Sequence, residues 1–242
     1  MTGASARSSA FAPVAVALDA PDEAIFESWV QDIAPSVQCL KIGLEVFCRQ
    51  GPESVHRARA QAASVDRADI EIFCDLKLHD IPATVSKAAR SLALLQPTYV
   101  TVHAAGGPEM VAAAVDALPA TRVTAVTVLT SLDAEQLRVL GIDGSPQEVV
   151  LRWAQSAVEA GALALVCSPQ EVAIVRAHVP ANITLITPGV RPANSTSDDQ
   201  RRTATPEQAL ADGADLLVIG RPITGQNDPA AAARALAASL LA

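Results

Sequence analysis

What most narrows the fold of this chain is an alternation: eight short apolar runs, each followed by a helical pattern. The runs are "VAVALD" (14–19), "CLKIGL" (39–44), "IEIFCDLK" (70–77), "YVTVHA" (99–104), "VTAVTVL" (123–129), "ALALVCS" (162–168), "ITLITPG" (183–189) and "DLLVIG" (215–220). Buried parallel strands read this way, because helices cover one face and the core fills the other. Helix starts are marked by chemistry. "SPQE" at 145–148 supplies Ser145 as N-cap, Pro146 in the first turn and Glu148 at the capping-box position. "SPQE" recurs at 168–171, and "TPEQ" at 205–208 and Asp228-Pro229 use the same devices. Gly161 and Gly213 stop helices just before the sixth and eighth runs.

Eight strand–helix units in 242 residues fit a single closed (β/α)8 barrel (TIM barrel), usually about 250 residues long. The pattern predicts a flexible N-terminal tail over 1–12 and one barrel domain over 13–242. An open doubly wound sheet is the alternative, but it usually carries a Gly-rich turn after its first strand. Here that strand runs into "ALDAPDEA", without glycine. Aromatic residues are only 3% of the chain, so aliphatic side chains and alanine must fill the barrel.

The net charge of −8 argues against a general nucleic-acid or anionic-membrane surface, although a local basic pocket can still hold a phosphate. No apolar run approaches the roughly 18 residues of a membrane span. The start, "MTGASARSSAFAP", lacks the apolar stretch of a secretory signal. Cys39, Cys48, Cys74 and Cys167 show no CxxC or metal-finger spacing and read as free thiols of a cytoplasmic protein.

A barrel concentrates function at the C-terminal ends of its strands. Polar residues gather there: Asp19 after the first run, Lys41 in the second, Asp75 and Lys77 in the third, His103 in the fourth and Thr130 after the fifth. Asp75 and Lys77 are two apart, so a strand turns both to one side. Burying such charges is unfavourable unless they pair or act. Only three of the eighteen cationic residues are lysines (Lys41, Lys77, Lys87), and two of them fall in neighbouring strands. Asp80 lies past the strand, where Ile81-Pro82 opens a helix. His79 could join Asp75 and Asp80 on a metal, but the spacing fits no standard set, and a solvent-facing histidine is the simpler reading. His56 and His178 fall on helical segments and read as surface.

A second cluster follows the seventh and eighth runs. Gly189 and Gly220 let backbone approach a ligand, and Arg191 and Arg221 carry fork-shaped donors suited to phosphate. Between them, the long polar stretch "RPANSTSDDQRRTATP" (191–206) reads as a lid or binding loop.

The stretch "DLKLHDIPATV" carries the D-x-K-x-x-D-I-x-x-T signature of the orotidine 5′-phosphate decarboxylase family. "VALD", "LKIG", "VHAAGG", "VLTS", "VCSPQE", "TPGVRP", "DDQRR" and "VIGRP" resemble that family's blocks in its order. The resemblance implies decarboxylation of orotidine 5′-phosphate to UMP, the last step of de novo pyrimidine nucleotide synthesis, with no cofactor and no metal. It implies that Lys41, Asp75, Lys77 and Asp80 are the alternating catalytic network, with Lys77 the proton donor to C6. It implies that Asp19 and Lys41 contact ribose, that Thr130 lies near the pyrimidine, and that Arg191, Gln200, Gly220 and Arg221 grip the phosphate. Asp80, Ile81 and Thr84 match an element that enters the partner subunit's site, which implies a homodimer with shared active sites.

The chemistry explains the choice of lysine. Loss of CO₂ leaves negative charge at C6, which an adjacent ammonium can stabilise and then protonate. Arginine surrenders its proton too reluctantly for this step. Two rivals are weighed. A Mg-dependent phosphosugar decarboxylase or hexulose-phosphate synthase of the same suprafamily would want an acidic ligand on the second strand, where Lys41 stands. A non-catalytic phosphate-ligand-binding barrel would need the arginines but not the lysine–carboxylate network.

Overall fold

The computed structural model describes residues 11–191 and 204–242. Its eight strands are β1 (Ala12–Ala17), β2 (Val37–Gly43), β3 (Glu71–Leu78), β4 (Tyr99–His103), β5 (Arg122–Val126), β6 (Ala164–Val166), β7 (Thr184–Pro188) and β8 (Leu216–Ile219). They pair in parallel in sequence order and close through β1 and β8 into one barrel. The expected (β/α)8 fold is therefore the observed one.

Two packed layers result from strand alternation. Inside the barrel, Ala15, Cys39, Phe73, Tyr99, Ala164, Ile186 and Leu216 form a small cluster. The aromatic-poor composition is met by grouping: Phe73 and Tyr99 stand on adjacent strands, edge to face with ring centroids 5.6 Å apart, while alanines line other strands. Outside the barrel, the opposite face of each strand packs on the helices in a much larger aliphatic core.

Caps largely follow the sequence signals. Ser145 and Glu148 form a complete capping box at the helix Pro146–Glu159. Thr205 and Asp228 each accept a backbone N–H at their helix starts. Gly161 and Gly213 sit just past helix ends at φ +96° and +107°, where an L-residue is strained.

Three expectations, on the tail, the second "SPQE" and the strand lengths, need correction. β1 begins at Ala12, the last residue of the expected tail. Ala12 is fully buried and pairs with Val37. Residues 1–10 lie outside the described residues. The second "SPQE" does not cap a helix: the next helix starts at Val172, with no side-chain cap. The Ser168 hydroxyl instead bonds the buried Glu171 carboxylate, and 168–171 closes as a turn. β6 keeps only three of its seven expected residues, and β5 ends at Val126 rather than at 129. The element after β2 is two helices, Leu44–Gln50 and Glu53–Ala63, divided at Gly51 (φ +60°) and Pro52.

Candidate active site

At the C-terminal end of the barrel lies a cavity of about 660 Å³. Every strand except β4 supplies lining residues, directly or through the loop after it. Alternation explains who points in. On β2, Lys41 shares the interior side with Cys39; on β3, Asp75 follows Phe73.

Asp75 is the hub. One carboxylate oxygen lies 3.1 Å from Lys41 Nζ, and the other lies 2.8 Å from Lys77 Nζ. Lys41 is only 7% exposed. Asp19 joins from the turn after β1. A Cβ on Gly43 would stand 2.7 Å from Asp19 Oδ1 and 3.2 Å from Lys41 Nζ, so the missing side chain gives both groups their space. Burial alone would raise the Asp75 carboxyl, yet Lys41 and Lys77 hold it below its ordinary value. Asp19 and Asp75 balance Lys41 and Lys77 in charge, and Arg191 and Arg221 add positive charge to the same cavity, which suits an anionic ligand.

The pairing of Asp75 and Lys77 is as expected, but the strand between them is not regular. From Cys74 to Leu78, β3 advances four residues while β4 advances two, from Val100 to Val102. The surplus is absorbed in a bulge, and Lys77 sits at φ +50°, the left-handed region that lysine rarely adopts. Such backbone clusters at functional sites. Beneath this bulge Thr101 of β4 accepts from the Lys77 amide and donates to Asp75.

Across the cavity from β1–β3, β5, β6 and the loops after them supply an apolar stretch, Val126, Val128 and Val166, with Ser168 beside it. Thr130 lines the same side. Gly189, Arg191, Gly220 and Arg221 all line the cavity, so the two glycine–arginine pairs do converge. The ends of the polar loop are tied by an isolated bridge between Val190 and Ala204, with the Arg191 amide bonded to the Ala204 carbonyl at 3.0 Å. Gln200 and the rest of 192–203 lie outside the described residues.

Asp80, Ile81 and Thr84 are not among the cavity's lining residues. The Asp80 carboxylate accepts from the Ile81 amide at 2.7 Å, and Ile81 is 66% exposed at the start of the helix Pro82–Ala93. His79 is exposed, and its ring lies against His103, centroids 5.2 Å apart. Burial, then His79 and Lys77, push the His103 imidazole down, so it stays neutral at neutral pH. His56 and His178 are exposed. Among the described residues no group of three or more His, Cys, Asp or Glu could hold a metal. Cys39, Cys74 and Cys167 are buried, Cys48 is exposed, and all four are free.

Sequence reasoning missed Thr101, Phe73, Ser168 and the valines. Thr101 had a signal: in "YVTVH" it shares strand parity with Tyr99 and His103, a polar group aimed inward.

Because Asp75 stands between two cations, its removal takes the carboxylate partner from a buried Lys41 and a partly exposed Lys77. Asp75→Asn is expected to cost about 3 kcal/mol at neutral pH, the lower end for a broken buried pair because Lys77 is partly exposed. The sign with pH follows from the lowered carboxyl. The stabilisation is complete above the unfolded-state value of about 3.9 and is lost as pH falls through the lower folded value. Urea unfolding of parent and variant from pH 7 to acid checks this. The gap should be constant above about pH 5 and narrow below about pH 4.

Fold and site together define a class, a closed parallel barrel with a lysine–carboxylate–lysine centre at its C-terminal rim. The family model for orotidine 5′-phosphate decarboxylase / HUMPS matches residues 12–236, and the chain belongs to that family. It is 59% identical over 229 residues to the orotidine 5′-phosphate decarboxylase of Thermobifida fusca, covering 95% of this chain and 96% of that protein. It is 55% identical to the one from Frankia casuarinae, covering 96% and 88%. The crystal structure of orotidine 5′-phosphate decarboxylase from Lactobacillus acidophilus superposes with a TM-score of 0.81 at 34% identity, covering 96% of this chain and all of that one.

Proposed function

We propose that this protein decarboxylates orotidine 5′-phosphate to UMP, with Lys77 delivering the proton to C6 and no cofactor taking part. The observation that carries the reading is Asp75 held between Lys41 and Lys77 in a cavity that Arg191 and Arg221 also line. Two anchor regions suit a substrate charged at both ends.

In this reading the nucleotide lies with its phosphate toward Gly189, Arg191, Gly220 and Arg221, joined by Gln200, and its ribose toward Asp19 and Lys41. The pyrimidine lies near Thr130, with C6 facing Lys77. The bond from C6 to the carboxylate breaks, CO₂ leaves, and the electron pair stays on C6. The Lys77 ammonium stabilises that pair and gives it a proton, and solvent later reprotonates the amine. Asp75 holds the ammonium in place and meets the substrate carboxylate as a like charge that departs with CO₂. The valine wall keeps the reacting carbon in a low-dielectric setting, where the ammonium acts more strongly than in water. Phosphate binding far from C6 contributes binding energy that the distant step can use.

Asp80, Ile81 and Thr84 serve the partner subunit's cavity in a homodimer with shared sites. Their exposure at the mouth of the helix Pro82–Ala93, away from their own cavity, supports this. The enzyme acts in the cytoplasm, and no helix among the described residues is long and apolar enough to cross a membrane. The Mg-dependent relatives would want an acidic group on β2, where the Lys41 ammonium instead pairs with Asp75.

The test is turnover in EDTA-treated buffer, followed by loss of the orotate absorbance. Decarboxylation at undiminished rate after chelation is expected. No turnover, or turnover only with added Mg²⁺, would overturn the proposal.

A further inference from the structure

β4 gives the cavity no lining residue, yet it sends one hydroxyl into the catalytic cluster from below. Thr101 is fully buried on β4 between Tyr99 and His103. The Lys77 amide donates to its Oγ1 at 2.8 Å, and that hydroxyl donates to Asp75 Oδ1 at 3.1 Å. The directions are forced, because an amide N–H can only donate and an ionised carboxylate can only accept. One rotor therefore ties the backbone of one functional residue to the side chain of the other.

The bulge makes this tie necessary. With four residues of β3 set against two of β4, regular ladder pairing lapses between Cys74 and Leu78. A buried amide without an acceptor is strongly disfavoured, and here the acceptor is the Thr101 side chain. The same Asp75 oxygen that receives this hydroxyl receives the Lys77 ammonium at 2.8 Å. Lys77 is thus held at both ends: its backbone directly by Thr101, and its ammonium by a carboxylate that Thr101 orients.

We propose that Thr101 is a positioning residue for the proton-delivering lysine, acting through its hydroxyl rather than its bulk. The role rests on the decarboxylase reading, and the contact itself does not. Thr101→Val keeps the shape and removes the hydroxyl, whereas Thr101→Ser keeps the hydroxyl and removes a methyl. With the full-length protein and orotidine 5′-phosphate, Thr101→Val should lower kcat by about 10- to 100-fold, the scale of a small misplacement of a reacting group. KM should move far less, since the phosphate and ribose contacts are untouched. Thr101→Ser should recover most of the parental kcat.

A second measurement needs no activity. Amide hydrogen–deuterium exchange of the 74–78 segment should quicken in Thr101→Val, locally, and stay parental in Thr101→Ser. Thr101→Ala, which also lacks the hydroxyl, carries the same expectations if valine disturbs folding. Parental kcat in the variants without a hydroxyl, a serine variant as slow as they are, or unchanged exchange at 74–78 would each overturn the proposal. If the parent itself does not turn over, the decarboxylase reading falls, and exchange still judges the Thr101 tie.

Discussion

Lys77→Ala should lose decarboxylation by about 10⁴-fold or more, because one group supplies both the electrostatic stabilisation of the C6 charge and the proton that quenches it. Binding of UMP should remain detectable, since Arg191, Gly220, Arg221, Asp19 and Lys41 are left in place in the cavity. The measurement is single-turnover kinetics beside a UMP titration. Lys77→Arg should rescue little: it restores charge but not an acid that releases its proton readily. Near-parental turnover in Lys77→Ala would remove Lys77 from its assigned role.

The second large effect is a recovery. Lys77→Ala and Asp80→Ala should each be nearly inactive alone. If Asp80 works in the partner's cavity, a mixed dimer carries one doubly altered site and one intact site. Exchanged at equal amounts, the two variants should regain about a quarter of parental activity, the share set by random pairing in a two-fold dimer. Turnover before and after subunit exchange, with mixed dimers isolated by tag, gives the answer. No recovery despite confirmed exchange would place Asp80 at work within its own chain. The local geometry makes this a sharp question, because the Asp80 carboxylate caps the Ile81 amide and does not line its own cavity.

Much of this protein was legible in order along the chain. Eight apolar runs with capped helices between them specify a closed barrel, because short two-sided apolar strands need helices outside and side chains inside. Strand parity then turns Asp75 and Lys77 to one side, the scarcity of lysine marks Lys41 and Lys77 as chosen for chemistry, and the family resemblance joins Lys41 to the same centre. Arg191 and Arg221 could be grouped because a barrel brings the ends of β7 and β8 together. The second "SPQE" misled because identical letters carry no record of neighbours: Ser168 borders the cavity and bonds Glu171, so the helix starts later.

The sequence by itself determined the architecture, the rim on which function sits and the shared side of Asp75 and Lys77. These follow from hydrophobic period, capping chemistry and side-chain alternation, all of which are local. Only the tertiary structure decided how the centre is held. The register shift between β3 and β4, the left-handed Lys77 and the Thr101 hydroxyl beneath it depend on which residues of two strands meet, separated by some two dozen positions. Pairing across that distance is set by closure of the whole barrel, and no local pattern in either strand records it.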